Sequence, residues 1–308
     1  MKKIIILTLL IILGLQDFCE AQTTLWRRRR REFIFGAGAN NFLGDLGGAN
    51  QVGTNGLRDF DFPAIRPDFY VGYRYRTTKE TAIKFNLAYA FLYGNDKLTK
   101  EPFRQNRNCN FRSPVIELSS QYEYVVGRER PGHIYNLKGI RGWRYIQVQT
   151  YFFAGIGLMY FNPKGEKDGS WYALKPLCTE GEGFLPTRRK YSSIQCIIPF
   201  GMGFKYALST DWSVGIEYGI RKTFTDYIDD VSKTYVNPHF LQQEKGDLAA
   251  YFSNPTNYSL PPECGNPYNV TYPGQQRGDV RDKDSYMFGI ITFYYKIPKG
   301  RFTLPKFK

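Results

Sequence analysis

Three carboxylates stand close together in TFTDYIDDVSKTY, at Asp226, Asp229 and Asp230. Side chains of this type at this spacing are candidates for a Ca²⁺ site, because a hard cation gathers several carboxylate and carbonyl oxygens. The same spacing suits the capping of short helices, or pairing with the neighbouring Arg221 and Lys222, and this bland role outweighs the metal. Other chemistry is sparse. The two histidines, His133 and His239, fall in connections assigned below to opposite sides of a membrane, so they share no metal site or triad. Gly36-Ala37-Gly38 is half of a dinucleotide fingerprint without its third glycine or its helix; these glycines are expected to line a narrow interior instead. There is no GxSxG motif, and nothing positions a Ser–His pair of the kind used by lipid hydrolases at a barrel rim. The expectation is no enzyme, no cofactor and no metal.

Cys109, Cys178, Cys196 and Cys264 remain beyond the leader. An even number in an exported chain permits two disulfides with three connectivities, all on the outer side. Cys196 shares the parity of Ile198 and is expected to face lipid and stay reduced. No CxxC or Cys/His spacing reads as zinc.

The opening MKKIIILTLLIILGLQDFCEAQ reads as a secretory signal peptide over 1–21: Lys2 and Lys3, a short apolar core, and the Cys19-Glu20-Ala21 cleavage site. The rest, 22–308, is expected to be one domain. No other apolar run is long enough for a membrane helix. Yet the chain carries 24 Tyr, 24 Phe and 30 Gly against 4 Trp and 4 Met. Exported, aromatic-rich and glycine-rich fits an outer-membrane barrel and also a soluble all-β secreted protein, and alternation has to separate the two. Export argues against a nucleic-acid partner despite the net charge of +14.

Eight runs alternate on a period of two, at about 33–41, 68–76, 81–93, 114–126, 147–161, 194–207, 212–222 and 285–296. Along 147–161, Val148, Phe152, Ile156, Leu158 and Tyr160 share one face, and Gln149, Tyr151, Gly155 and Gly157 share the other. Along 212–222, Trp212, Val214, Ile216 and Tyr218 oppose Ser213, Gly215, Glu217, Gly219 and Arg221. Large apolar residues on one face and small or charged ones on the other fit an all-β, eight-stranded antiparallel transmembrane β-barrel, apolar outside and crowded within. Aromatic girdles are expected from Tyr73, Tyr75, Tyr122, Tyr124, Tyr160, Tyr206, Trp212, Tyr294 and Tyr295. The inward charges Arg74, Lys84, Glu117, Glu123, Glu217 and Arg221 are costly unless paired. They are expected to form an ion-pair network that plugs the lumen.

The connections Thr77–Glu80 and Leu208–Asp211 are tight. Those at about 42–67, 94–113, 162–193 and 223–284 are long, the last with a short helix over 239–252 in an ordered lid. Short turns are periplasmic and long loops extracellular in such barrels. Gly127 to Ile146 is long for its side. By this assignment nearly all the net charge falls on the periplasmic face. It comes from the basic arm 22–32 with Arg27, Arg28, Arg29, Arg30 and Arg31, from Arg128, Arg130, Lys138, Arg141 and Arg144 in the long turn, and from the tail 297–308 with Lys299, Arg301 and Lys306. Glu32, Glu80, Glu129 and Asp211 stand against them. Such a face attracts anionic headgroups of the membrane lipids or docks an acidic periplasmic partner. The extent of the turn and tail favours the partner.

Four stretches carry a family resemblance: GIRKTFTDYIDDVSKTYV (219–236), QQEKGDLAAYFSNP (242–255), IPFGMGFKY (198–206) and GANNFLGDLGG (38–48). Together they resemble the PorG family of outer-membrane barrels in the type IX secretion system of Bacteroidota, and TDYIDDVS is their most specific part. The resemblance implies a non-enzymatic component that holds the periplasmic ring of PorK (GldK) and PorN (GldN) at the outer membrane, in service of protein export and gliding motility. A passive small channel or a surface adhesin is the alternative.

Overall fold

The computed structural model describes residues 29–47, 62–99, 101–127, 148–256 and 271–298. In chain order the strands are β1 (Arg31–Leu43), β2 (Arg66–Arg76), β3 (Thr81–Asn95), β4 (Asn110–Val126), β5 (Val148–Phe161), β6 (Lys164–Lys167), β7 (Ser170–Ala173), β8 (Ile194–Ala207), β9 (Trp212–Thr223) and β10 (Ser285–Ile297). Among the described residues three short α-helices fall between them, α1 (Pro102–Arg107), α2 (Pro238–Lys245) and α3 (Asp247–Ser253). The eight long strands form an antiparallel meander, and β1 pairs with β10 to close the ring. Closure removes the free edges that an open sheet would leave. β6 and β7 make a hairpin outside the barrel, held to the end of β4 at the Arg112–Lys164 pair.

The two tight turns are built by hydroxyls. Thr78 Oγ1 accepts from the Glu80 and Thr81 amides, and Ser209 Oγ accepts from those of Asp211 and Trp212. A side chain that satisfies the turn's own amides lets a strand reverse without a longer loop.

Alternation sets the faces. Phe33, Phe35, Phe69, Val71, Phe85, Leu87, Ile116, Leu118, Phe152, Ile156, Leu158, Phe200, Phe204, Ile216, Ile291 and Phe293 are exposed on the outer surface. Glu32, Arg74, Lys84, Glu117, Glu123, Lys205, Glu217 and Arg221 are buried inside. A ring of aromatics marks the short-turn end, where Trp212 meets Phe35 at 6.0 Å and Tyr295 at 5.0 Å, and Phe33 meets Tyr73 at 5.7 Å. Tyr294 corrects the expected girdle. It lies inside, its hydroxyl 2.8 Å from that of Tyr151, because neighbours in a strand point to opposite faces and Tyr295 takes the outer one. No described helix is long and apolar enough to cross a membrane; the strands provide the crossing.

The lid helix differs from the single helix expected over 239–252. Gly246 takes φ +87°, a backbone that favours glycine, and divides the segment into α2 and α3. Leu241 and Ala249 then pack with Val236, Leu177, Leu185 and Phe240. The β6–β7 hairpin and α1 were not anticipated from the sequence.

Candidate functional site

Small residues make room for the interior. A Cβ on Gly203 would run into the ring of Tyr151; glycine there lets the tyrosine lie across the lumen. Tyr151 donates to Glu217 at 2.9 Å. Lys84 Nζ stands 2.6 Å from Glu217 and 3.2 Å from Glu123. Arg74 joins Glu123 at 2.5 Å to Glu32 at 3.0 Å, and Lys205 reaches Glu32 at 2.7 Å. Higher in the barrel Arg221 pairs with Glu117 at 3.3 Å, and Tyr286 donates to the same carboxylate at 2.9 Å. The expected set Arg74, Lys84, Glu117, Glu123, Glu217 and Arg221 therefore lies in the lumen, in two groups. Glu32 is a correction: it was assigned to the periplasmic surface, but it shares the parity of Ile34 and completes the lower group. Lys205 also belongs to the network; its alternation with Phe204 and Tyr206 was the signal.

Charges taken out of water at this depth are tolerated only when their remaining hydrogen-bonding capacity is met. The network fills the cross-section with large side chains, as an eight-stranded barrel requires. Arg74, Lys84, Lys205, Arg221, Tyr151, Tyr286 and Tyr294 are among its largest fully buried side chains. Gly36 and Gly38 also face inward, pressed against the β10 backbone.

At the short-turn end, Arg29 pairs with Asp211 at 3.0 Å and donates to the Thr210 carbonyl at 2.6 Å. It ties the start of β1 to the β8–β9 turn. Arg30 donates to Tyr75 Oη at 3.4 Å, and Arg31 is exposed. Arg76 at this end turns to Glu32 at 3.7 Å and Gln149 at 3.2 Å, and Lys296 is buried. Arg27, Arg28, Arg128, Arg130, Lys138, Arg141, Arg144, Lys299, Arg301 and Lys306 lie outside the described residues, as do the leader and His133.

The opposite end carries a lid organised by TFTDYIDDVSKTY. Asp229 accepts from the amides of Leu46 and Val231, both at 3.0 Å. Asp230 accepts from Thr179 and Tyr191, both at 2.6 Å, and Asp226 from Ser232 at 2.7 Å. Each of the three is spent on a different partner. Among the described residues no group of three His, Cys, Asp or Glu side chains is placed to hold a metal ion. Glu180 accepts from the Ser232 and Lys233 amides at 2.9 and 3.1 Å and pairs with buried Arg277 at 3.0 Å. Arg107 grips Asp96 through two 2.8 Å bonds and donates to the carbonyls of Asp45 and Arg277. Under this strap Phe42, Leu46, Phe111, Ile228, Val231 and Tyr286 form an apolar seal.

Burial dominates the acids of the lid. It pushes Asp226 up to about 7 and Asp45 to about 6 against the pull of Arg107. Asp230 rises to about 6 although Arg277 opposes it. Glu182 reaches about 8, with Asp230 adding to the effect of burial.

Of the cysteine expectation, no disulfide joins the three described cysteines, and Cys196 lies on the outer face as expected. Cys109, Cys178 and Cys196 are free thiols, so no disulfide forms among them; Cys264 lies outside the described residues. Cys109 is buried beneath the lid, Cys178 is buried with its thiol turned to the carbonyls of Lys175 and Pro176, and Cys196 is exposed on the outer face beside Leu158. They sit in separate places.

A closed eight-stranded antiparallel barrel, apolar outside and ion-paired within, is an outer-membrane type of β-barrel. No protein-family model matches the chain, and no curated protein matches its sequence. Solved outer-membrane proteins resemble it in structure. Ail of Yersinia pestis is 7% identical over 87% of this chain and 97% of that one, with a TM-score of 0.37. Neisserial surface protein A is 10% identical over 87% and 96%, at 0.38. OprG of Pseudomonas aeruginosa is 10% identical over 88% and 98%, at 0.31. Likeness at this level carries no functional argument.

Proposed function

We propose that this chain is a non-enzymatic outer-membrane component of a type IX secretion system, docking the periplasmic ring of PorK/GldK and PorN/GldN through its basic end. The observation that supports the reading most is the polarity of the barrel. Arg29, Arg30 and Arg31 gather at the short-turn end, while a lid built on buried carboxylates closes the other. The paired interior leaves the two ends as working surfaces. The short-turn end offers the charge that an acidic partner selects. The filled lumen speaks against a passive channel.

The test is capture from mild detergent. The full chain should retain the ring proteins, and replacing Arg27–Arg31 together with Lys299, Arg301 and Lys306 by glutamine should release them. Unchanged capture by that variant would overturn the docking face.

A further inference from the structure

Just above the outer apolar belt, on one flank of the barrel, two cations stand directly opposite each other. Arg112 of β4 and Lys164 of β6 are Cα partners. Like charges placed across a ladder destabilise it, so an anion between them would relieve a standing cost. Among the described residues neither side chain has a carboxylate or any hydrogen-bond acceptor. Arg112 is exposed, and its guanidinium lies 4.1 Å over the ring of Trp171 in β7. Tyr93, the Cα partner of Arg112 on β3, carries a second stacked guanidinium, that of Arg66, at 4.0 Å. Arg66 spends one nitrogen on the carbonyls of Pro63 and Ile65. Stacking fixes the plane of each fork and leaves N–H donors at its edge for a planar or tetrahedral anion.

Height selects the anion. Tyr89, Ile116 and Tyr160 form one exposed cross-strand row. Arg112 lies four residues before Ile116 on β4, toward the long-loop end, roughly 13 Å at 3.3 Å per residue and about 10 Å in height after strand tilt. That is where the polar headgroups of the outer leaflet meet the protein. We propose that Arg112 and Lys164, flanked by Arg66 on Tyr93 and by Trp171, bind the phosphate of a phosphorylated outer-leaflet glycolipid. The cations take the phosphate, and the aromatic row below lies along the acyl chains. This inference rests on the outer-membrane orientation of the proposed function, but uses no residue of the periplasmic end.

The test uses the full chain in phosphatidylcholine nanodiscs, with retained lipid counted by native mass spectrometry. The probes are diphosphorylated lipid A, lipid A stripped of its phosphates, and phosphatidylglycerol. Each cation near a charged surface contributes about fivefold. Arg112→Gln/Lys164→Gln should therefore retain diphosphorylated lipid A roughly 25-fold more weakly, and removing the phosphates from the lipid should cost the parent chain about as much. Trp171→Leu, which keeps both charges and frees the Arg112 fork, should weaken retention a few-fold. Arg29→Gln/Arg31→Gln, at the other end, should leave it unchanged. Equal retention by the Arg112/Lys164 variant overturns the site, provided its heat-modifiable gel shift confirms a folded barrel. Equal loss in the Arg29/Arg31 variant does the same, and phosphatidylglycerol held as tightly as lipid A overturns the glycolipid assignment. Unchanged ring capture by the variant neutralised at Arg27–Arg31 and the tail, with lipid A retention behaving as above, would sink only the docking reading.

Discussion

Replacing Lys84 with methionine tests the buried network. Lys84 Nζ stands between Glu217 at 2.6 Å and Glu123 at 3.2 Å, within an aromatic surround formed by Phe153 at 4.7 Å and Tyr151 at 5.6 Å. At an effective dielectric constant near 20 each contact is worth about 5–6 kcal/mol of gross attraction. Much of that is offset by the desolvation that the ammonium no longer suffers once it is removed. What remains is the cost of stranded carboxylates, about 3–5 kcal/mol when one partner of a buried pair is lost. Glu123 keeps Arg74, so the burden falls on Glu217, left with the Tyr151 hydroxyl at 2.9 Å. Methionine preserves the volume and the contact with the rings. Lys84→Met should thus lose about 3–5 kcal/mol, a factor of roughly 10² to 10³ or more in the folding equilibrium. Lys84→Met/Glu217→Gln should regain at least half of it. Urea titration in detergent micelles, read by tryptophan fluorescence and by gel mobility, measures both. A single-variant loss below about 1 kcal/mol, or a double variant no better than the single, would refute the claim that these charges form one interdependent plug.

The lid acids carry a pH dependence of definite sign. Burial raises Asp45, Asp226, Asp230 and Glu182 to between about 6 and 8. The folded lid therefore binds protons more tightly than the unfolded one, and the stability that these groups confer at acid pH is lost as pH rises through that range. Amide exchange at 226–235, corrected for its intrinsic pH dependence, should quicken between pH 5.5 and 8.5 while the strands stay protected. A flat profile would refute the burial argument, and Asp226→Asn should flatten part of it. Cys196 should react in the bilayer with a lipid-soluble maleimide and resist a water-soluble one, while Cys109 and Cys178 stay unreactive until the chain unfolds. Equal labelling of Cys196 by both reagents would remove that flank from the membrane.

The eight strands were legible because a closed barrel imposes one rule over its whole length. Every outward position meets lipid and every inward one meets a narrow lumen, so composition alternates without a break. Residues 194–207 were read as β8 with the bounds the structure has. β4 begins at Asn110, earlier than expected, because its ladder continues past the apolar belt, where polar residues such as Arg112 no longer mark a face. The β6–β7 hairpin was hidden because KGEK and SWYA are four residues each; they pair with one another and meet the β4 ladder at a single position. Glu32 and Tyr294 were misplaced where like residues adjoin, the arginine run before the one and Tyr295 after the other. There composition stops indicating parity.

The sequence alone determined the barrel, its strand number, the face of nearly every strand residue and the presence of paired charges within, because these follow from a local period of two. Only the tertiary structure decided which carboxylate meets which cation, that the three lid aspartates serve amides and hydroxyls, and that Arg112 faces Lys164. Those depend on register between strands far apart in the chain, and register is fixed by the closed ladder as a whole.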